Sequence, residues 1–206
     1  MKETPLWYSL LRRLAIIIFK VFFAVKIRGK ENVPLKGGAI LASNHLSYFD
    51  PIVLGLLTPR KINFMAKEEL FENFFFRLLI TKLGAFPVKR ERIDKTVYQK
   101  ALDLLKKGEL LVLFPEGTRS WKGKLGRLQQ GTARIALRAN VPLVPVIIRG
   151  TEKVLPRGKK MIRLAKIEAR IGEPLRGKKS KKEGVKTSIE RLHKKFENSM
   201  RMLLTI

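Results

Sequence analysis

Short apolar runs alternate along this chain with segments whose apolar residues return every three or four positions. Val25–Arg28 reads as a first strand ended by Gly29. Gly38–Ser43 (GAILAS), Lys61–Ala66 (KINFMA), Ala85–Val88, Leu110–Phe114 (LLVLF) and Leu143–Arg149 read as further strands, and Lys166–Ile171 as an outer one. Helical periodicity fills the gaps. Pro51–Leu57 follows Asp50 as N-cap, with Pro51 in the first position. Glu69–Leu83 is apolar and aromatic on most sides and stops at Gly84. A helix capped by Asp94 runs to Lys107, with Val97, Ala101, Leu104 and Leu105 on one face. Arg127–Ala139 is another, and Gly184–Leu204 carries the stripe Val185, Ile189, Leu192, Phe196 and Met200. Strands and helices taken in turn predict an α/β domain.

The first segment follows a different logic. Leu6–Val25 is apolar but interrupted by Arg12, Arg13 and Lys20, so it falls short of the roughly 18 uninterrupted apolar residues of a spanning helix. Arg13 and Lys20 lie seven residues apart and share a helical face, with Arg12 beside it. Leu10, Leu14, Ile17, Val21 and Ala24 form the opposite side, with Trp7 and Tyr8 near the start. The pattern describes a basic amphipathic helix lying in a membrane interface, or a helix packed on the protein's own body. A secretory signal is disfavoured, because the Leu14–Phe19 core is short and no small-residue cleavage pattern follows. Residues 1–24 are therefore expected to anchor, and 25–206 to form the working domain.

Charge narrows the partners. Lys and Arg number 44 against 17 Asp and Glu, a formal net charge of +27 over 206 residues. Such a surface attracts polyanions: nucleic acid, anionic lipid or phosphorylated small molecules. The absence of Cys removes disulfides, thiolate metal sites and Cys nucleophiles. Only His45 and His193 can supply imidazole chemistry. No nucleotide-binding glycine loop, zinc-binding H-E-x-x-H or G-x-S-x-G nucleophile elbow occurs. A resident metal or redox cofactor is not expected.

Two loops that follow predicted strands carry the chemistry, which is where α/β folds place it. In Ser43-Asn44-His45-Leu46-Ser47-Tyr48-Phe49-Asp50-Pro51 an imidazole stands at a strand end, five positions before a carboxylate. A ring nitrogen can take a proton from an alcohol while a carboxylate on the other nitrogen fixes the tautomer, an arrangement worth roughly a hundred- to ten-thousand-fold in rate. The same residues also read as a loop histidine and a plain helix cap. In Phe114-Pro115-Glu116-Gly117-Thr118-Arg119-Ser120, backbone N–H groups near Gly117 and the forked donor of Arg119 form a plausible phosphate cradle; a surface turn with a local Glu116–Arg119 pair is the plainer alternative. Lys67, and Lys89 with Arg90, put further cations at strand ends.

Together these loops resemble the glycerolipid acyltransferases, the group that includes lysophosphatidic acid acyltransferase. His45-x-x-x-x-Asp50 is similar to their first motif, Gly84 to Arg90 to their second, and Phe114-Pro115-Glu116-Gly117-Thr118-Arg119 to their third. Val141-Pro142-Leu143-Val144-Pro145-Val146 is similar to their fourth. The resemblance covers about Lys26 to Thr151, in matching order and spacing, with Pro87 standing where the family often has a bulkier apolar residue.

The resemblance implies a mixed, largely parallel central sheet flanked by helices. It implies that His45 is the general base and Asp50 its orienting partner. Arg90, Glu116, Gly117, Thr118 and Arg119 would hold the glycerol-phosphate part of the acceptor, with Lys67 as a further phosphate contact. Pro142 and Pro145 would shape the acyl or acceptor pocket. The expected reaction moves an acyl chain from a coenzyme A or acyl carrier protein thioester to lysophosphatidic acid. The product would be phosphatidic acid, made at the cytoplasmic face of the cell membrane by a peripheral or monotopic protein in phospholipid synthesis. A thioester is already activated, so no nucleophilic Cys or Ser is required. Basic surface, densest over Lys153–Lys186, suits anionic lipid and donor alike, or is a solvated face.

Nucleic acid is the rival partner, and it is not expected. The aromatics concentrate in runs such as Leu70–Phe76 instead of interleaving with cations. A decayed, purely membrane-binding relative is disfavoured by the presence of both His45 and Asp50. Another glycerol-phosphate or lyso-lipid acceptor remains open.

Overall fold

The computed structural model describes residues 4–88, 95–120, 125–159, 161–178 and 184–205. Among the described residues seven strands form one sheet: β1 (Lys26–Arg28), β2 (Ala39–Ser43), β3 (Ile62–Lys67), β4 (Ala85–Val88), β5 (Leu110–Leu113), β6 (Leu143–Arg149) and β7 (Glu168–Ile171). Their spatial order is β1-β7-β6-β2-β5-β3-β4. Every pairing is parallel except β6 with β7. The expected mixed, largely parallel sheet is therefore present. β2 and β5 are buried along their whole length, which is why their sequences are apolar up to Ser43 at the end of β2. β7 is not an outer strand: it lies between β1 and β6, parallel to β1 and antiparallel to β6. Its burial alternates in a way that an edge strand would share, so its sequence could not reveal the inner position.

The described residues form seven α-helices around the sheet: α1 (Leu6–Phe23), α2 (Asp50–Leu56), α3 (Phe74–Lys82), α4 (Lys95–Lys106), α5 (Gly131–Ala139), the short α6 (Thr151–Val154) and α7 (Gly184–Thr205). One apolar layer joins α1 and α2 to Leu41, Val112, Val146 and Ile148. The other joins α4, α5 and α7 to Ile40, Leu111, Leu143 and Ile147. Alternate side chains of β2, β5 and β6 thus point to opposite layers, as a pleated strand requires. On α7 the expected stripe is buried through Ile189, Leu192, Phe196 and Met200, while Val185 is exposed beyond the layer's reach.

Several elements depart from the sequence reading. Glu69–Leu83 is not one helix: a 3-10 turn, Glu68–Phe71, precedes α3, and Asn73 caps α3 by accepting from Phe76 N at 3.0 Å. Asn is a strong N-cap, so it divides the apolar run. α5 begins at Gly131 instead of Arg127, because Gly126 and Gln129 are tied to the loop after β5. Arg12 does not join a solvated basic stripe. It turns inward and donates to Gly55 O at 3.2 Å and Leu56 O at 3.0 Å, meeting the unpaired carbonyls at the end of α2. The opposite face of α1 is open: Leu10, Leu14, Ile17 and Val21 are all exposed, while Tyr8, Phe19 and Phe23 are buried. Among the described residues no helix is long and apolar enough to cross a membrane. The expected Asp94 cap lies outside the described residues.

Candidate active site

β2, β5 and β6 are neighbours, and the loops leaving their carboxyl ends meet. At the end of β2, Asn44 continues the ladder with its side chain. Its Nδ2 donates to Ile148 O at 2.8 Å, and its Oδ1 accepts from Ile148 N at 2.7 Å. That pairing fastens the loop root to β6, so the next residue, His45, starts from a fixed backbone.

The chain then folds around the carboxylate of Asp50, which is 0% exposed. Asp50 Oδ2 accepts from His45 Nδ1 at 2.8 Å, Leu46 N at 2.6 Å and Ser47 N at 2.8 Å. Its Oδ1 accepts from the Thr151 hydroxyl at 2.6 Å. Asp50 is therefore not a helix cap: Phe49 holds the N-cap position of α2, without a side-chain bond. An ionised carboxylate only accepts, so Nδ1 of His45 carries the proton and Nε2 presents a lone pair. The ring stacks on Phe114 at 4.0 Å between centroids and 20° between planes. With one nitrogen bonded and one face covered, the imidazole has little rotational freedom.

The loop after β5 braces this arrangement. Glu116 Oε1 accepts from His45 N at 2.9 Å, Oε2 accepts from Gly126 N at 2.8 Å, and Ser120 N donates to His45 O at 2.7 Å. Burial pushes the Glu116 carboxyl above its ordinary 4.5, while N–H donation from His45 and Gly126 pulls it back. A side chain at Gly126 has no room: a Cβ there would stand 2.7 Å from Glu116 Oε2. Gly117 turns the chain at φ +72°, a left-handed conformation that suits glycine.

The alternative of a local Glu116–Arg119 pair does not form, since both Glu116 oxygens serve backbone groups and Arg119 lies over the Tyr48 ring at 3.9 Å. Glu116 is a strut for the His45 loop and not a free arm towards a ligand. Beside it opens a cavity of about 910 Å³, walled by Thr118, Arg119, Arg127, Gln129 and, from α7, His193. Hydroxyl, amide and guanidinium groups there suit an anionic oxygen cluster, although the carboxylates of Glu116 and Glu197 also reach the wall.

The remaining site expectations divide. Lys67 stands at the end of β3, paired with Glu69, and does not line this cavity. Pro142, just ahead of β6, and Pro145, within it, are buried, and Pro142 O accepts from Ile40 N at 3.0 Å; neither borders the cavity. Arg90 lies outside the described residues. Residues that sequence reasoning missed include Thr151, Asn44, Phe114, Tyr48 and Gly126. Thr151 and Asn44 each follow a predicted strand, so the same strand-end rule that found His45 points to them; the others gave no local signal. Among the described residues no group of three His, Asp or Glu is disposed to hold a metal ion.

Comparison with known proteins gives the family. The family described as Acyltransferase matches residues 24–149, and the chain belongs to that family. A 1-acyl-sn-glycerol-3-phosphate acyltransferase of Bacillus subtilis is 36% identical over 160 residues, 77% of each chain. A chloroplastic protein of the same description from Arabidopsis thaliana is 31% identical over 163 residues, covering 77% of this chain but only 46% of that longer one. The crystal structure of the 1-acyl-sn-glycerophosphate (LPA) acyltransferase PlsC from Thermotoga maritima superposes with a TM-score of 0.78 at 27% identity, covering 96% of this chain and 78% of that chain.

Proposed function

We propose that this protein acylates the free hydroxyl of lysophosphatidic acid, using an acyl thioester as donor and releasing phosphatidic acid and a thiol. The observation that carries the reading is the buried Asp50 carboxylate 2.8 Å from His45 Nδ1, inside the family's motif order. In this scheme the acceptor hydroxyl gives its proton to His45 Nε2 as its oxygen bonds to the thioester carbon. The tetrahedral adduct collapses, the C–S bond breaks, and the imidazolium returns the proton to the departing sulfur. Asp50 stabilises the charged ring and keeps its tautomer. No acyl-enzyme forms, which fits a chain without Cys.

The acceptor's phosphate sits in the cavity beside Arg119, with Thr118 and the turn at Gly117 as further donors. Coenzyme A and acyl carrier protein are both anionic donors suited to a protein of net charge +27. Residues 1–24 form the anchor and 25–206 the catalytic domain. The exposed apolar stripe of α1 lies in the interface of the cytoplasmic leaflet, flanked by Arg13 and Lys20.

A thiol-release assay tests the chemistry: acyl-coenzyme A and acyl carrier protein donors are crossed with lysophosphatidic acid, glycerol 3-phosphate and a lyso-aminolipid. Release dependent on lysophosphatidic acid is expected, and His45→Ala should lower it by at least about a hundredfold with the melting temperature nearly unchanged. Release that survives the substitution would remove His45 from the mechanism.

A further inference from the structure

Helix α3, like α1, leaves most of its large apolar residues in the open. Of its nine residues, five large apolar ones are exposed: Phe74, Phe75, Phe76, Leu78 and Leu79. Only Ile80 is buried. Phe75 is 79% exposed and Phe74 60%. The pairs Phe74–Leu78 and Phe75–Leu79 are each four residues apart and fall on adjoining faces, so the apolar surface is continuous. Nothing in the fold of a water-surrounded domain calls for such a surface, and contiguous patches of this kind mark interaction sites.

Its surroundings identify the partner. An apolar groove of about 320 Å³ is walled by Leu11 and Ala15 of α1, Pro51 and Ile52 of α2, and Leu79 and Leu83 at α3. The outward stripe of α1 therefore continues across the groove into α3. The His45 ring lies towards this same face of the sheet, since its stacking partner Phe114 packs on the apolar layer that contains α1 and α2. α3 itself carries Arg77 and Lys82 and no acid, although Glu68, Glu69 and Glu72 precede it. The Arg77 guanidinium stands 5.5 Å from the Phe74 ring centroid, and Lys61 reaches the Trp7 ring at 6.0 Å. Aromatic rings bordered by cations match the boundary between acyl chains and anionic headgroups. A second copy of this chain fits less well, because facing α3 helices would oppose Arg77 and Lys82 against their equivalents.

We propose that α3 is a second lipid-contacting element, laying Phe74, Phe75 and Leu78 into the interface of an anionic phospholipid bilayer beside α1. The proposal deepens the membrane reading given above and rests on it. Two helices on either side of the groove would fix the orientation of the molecule, with the His45 side of the sheet facing the lipid. With one helix, only the apolar stripe of α1 resists rolling about its axis; a second contact beside it adds a lever against that roll.

The test uses the full chain and vesicles of equal parts phosphatidylglycerol and phosphatidylcholine. The double variant Phe74→Ser/Phe75→Ser leaves α1 untouched and should sediment with vesicles about tenfold more weakly. Its activity on vesicle-embedded lysophosphatidic acid should fall, while activity on a short-chain acceptor in monomeric solution stays within about twofold. Should that variant fail to fold, Phe75→Trp decides the matter: its added emission should shift to the blue when vesicles are supplied. Unchanged sedimentation, or no blue shift, overturns the proposal. A dimer abolished by the double variant with vesicle binding intact also overturns it, in favour of a second copy. If no acceptor is turned over by the unaltered protein, the acyltransferase reading fails, yet sedimentation and emission still decide the role of α3.

Discussion

Asp50 receives four hydrogen bonds on two oxygens at a position closed to solvent. A plain cap would tolerate Asn, because its amide oxygen can still accept. Here the amide would turn an N–H₂ either towards two backbone N–H groups and the imidazole, or towards the Thr151 hydroxyl. Asp50→Asn is expected to lose about 1–3 kcal/mol of stability and to lower turnover by more than that loss explains, checked by chemical denaturation beside the thiol-release rate. Thr151→Val removes one donor and keeps the shape. It should leave the acceptor's Michaelis constant unchanged while turnover falls, since the disturbance reaches the ring only through the carboxylate. Glu116 offers a test against pH. Burial raises its pKa in the folded state, so the native protein binds this proton more readily than the unfolded chain. The associated stability is fully present below 4.5 and is lost as pH rises through the raised value. Melting curves of the wild type and Glu116→Gln, measured from below 4.5 upward, should show the wild type losing its relative advantage across that window. Parallel curves would mean that Glu116 titrates alike in both states.

At the scale of elements, the contact between α1 and α2 depends on Arg12. Its guanidinium closes the carboxyl end of a seven-residue helix whose amino end presents Asp50. Arg12→Ala should cost about 1–2 kcal/mol and increase proteolysis within α1, measured by limited digestion and thermal melting. If α1 stays equally protected, the buried Tyr8, Phe19 and Phe23 hold it without the ion. The periodicity of α4 and α7 located those helices directly, because each presents one apolar face to the sheet. It failed over Glu69–Leu83, where apolar residues face both the groove and solvent, so no single face dominates. Asn73 was the available signal there, since an N-cap residue inside an apolar run divides it.

For the whole molecule, a net charge of +27 and an open apolar face on α1 and α3 act at different ranges. Charge attracts an anionic bilayer from a distance and is screened within about 8 Å at physiological salt. Apolar contact operates only on arrival. Binding to phosphatidylglycerol vesicles should therefore weaken as salt rises, whereas protein already inserted should dissociate slowly after a salt jump. Stopped-flow mixing with vesicles separates the two. An association rate indifferent to salt would show that the net charge does not steer encounter.

The sequence by itself determined the alternating α/β order, the buried central strands and the two loops that carry His45, Asp50, Glu116 and Arg119. Those features depend on local periodicity and on the rule that chemistry gathers at strand ends, both of which are written in neighbouring residues. Tertiary structure alone decided that β7 lies inside the sheet, that Thr151 completes the shell around Asp50, that Glu116 braces the His45 loop, and that Arg12 turns inward. Each of these depends on the order in which strands pair and on which loops become neighbours. The strand-end rule can mark Thr151 as a candidate, but that its hydroxyl meets a carboxylate 101 positions away is written in neither segment.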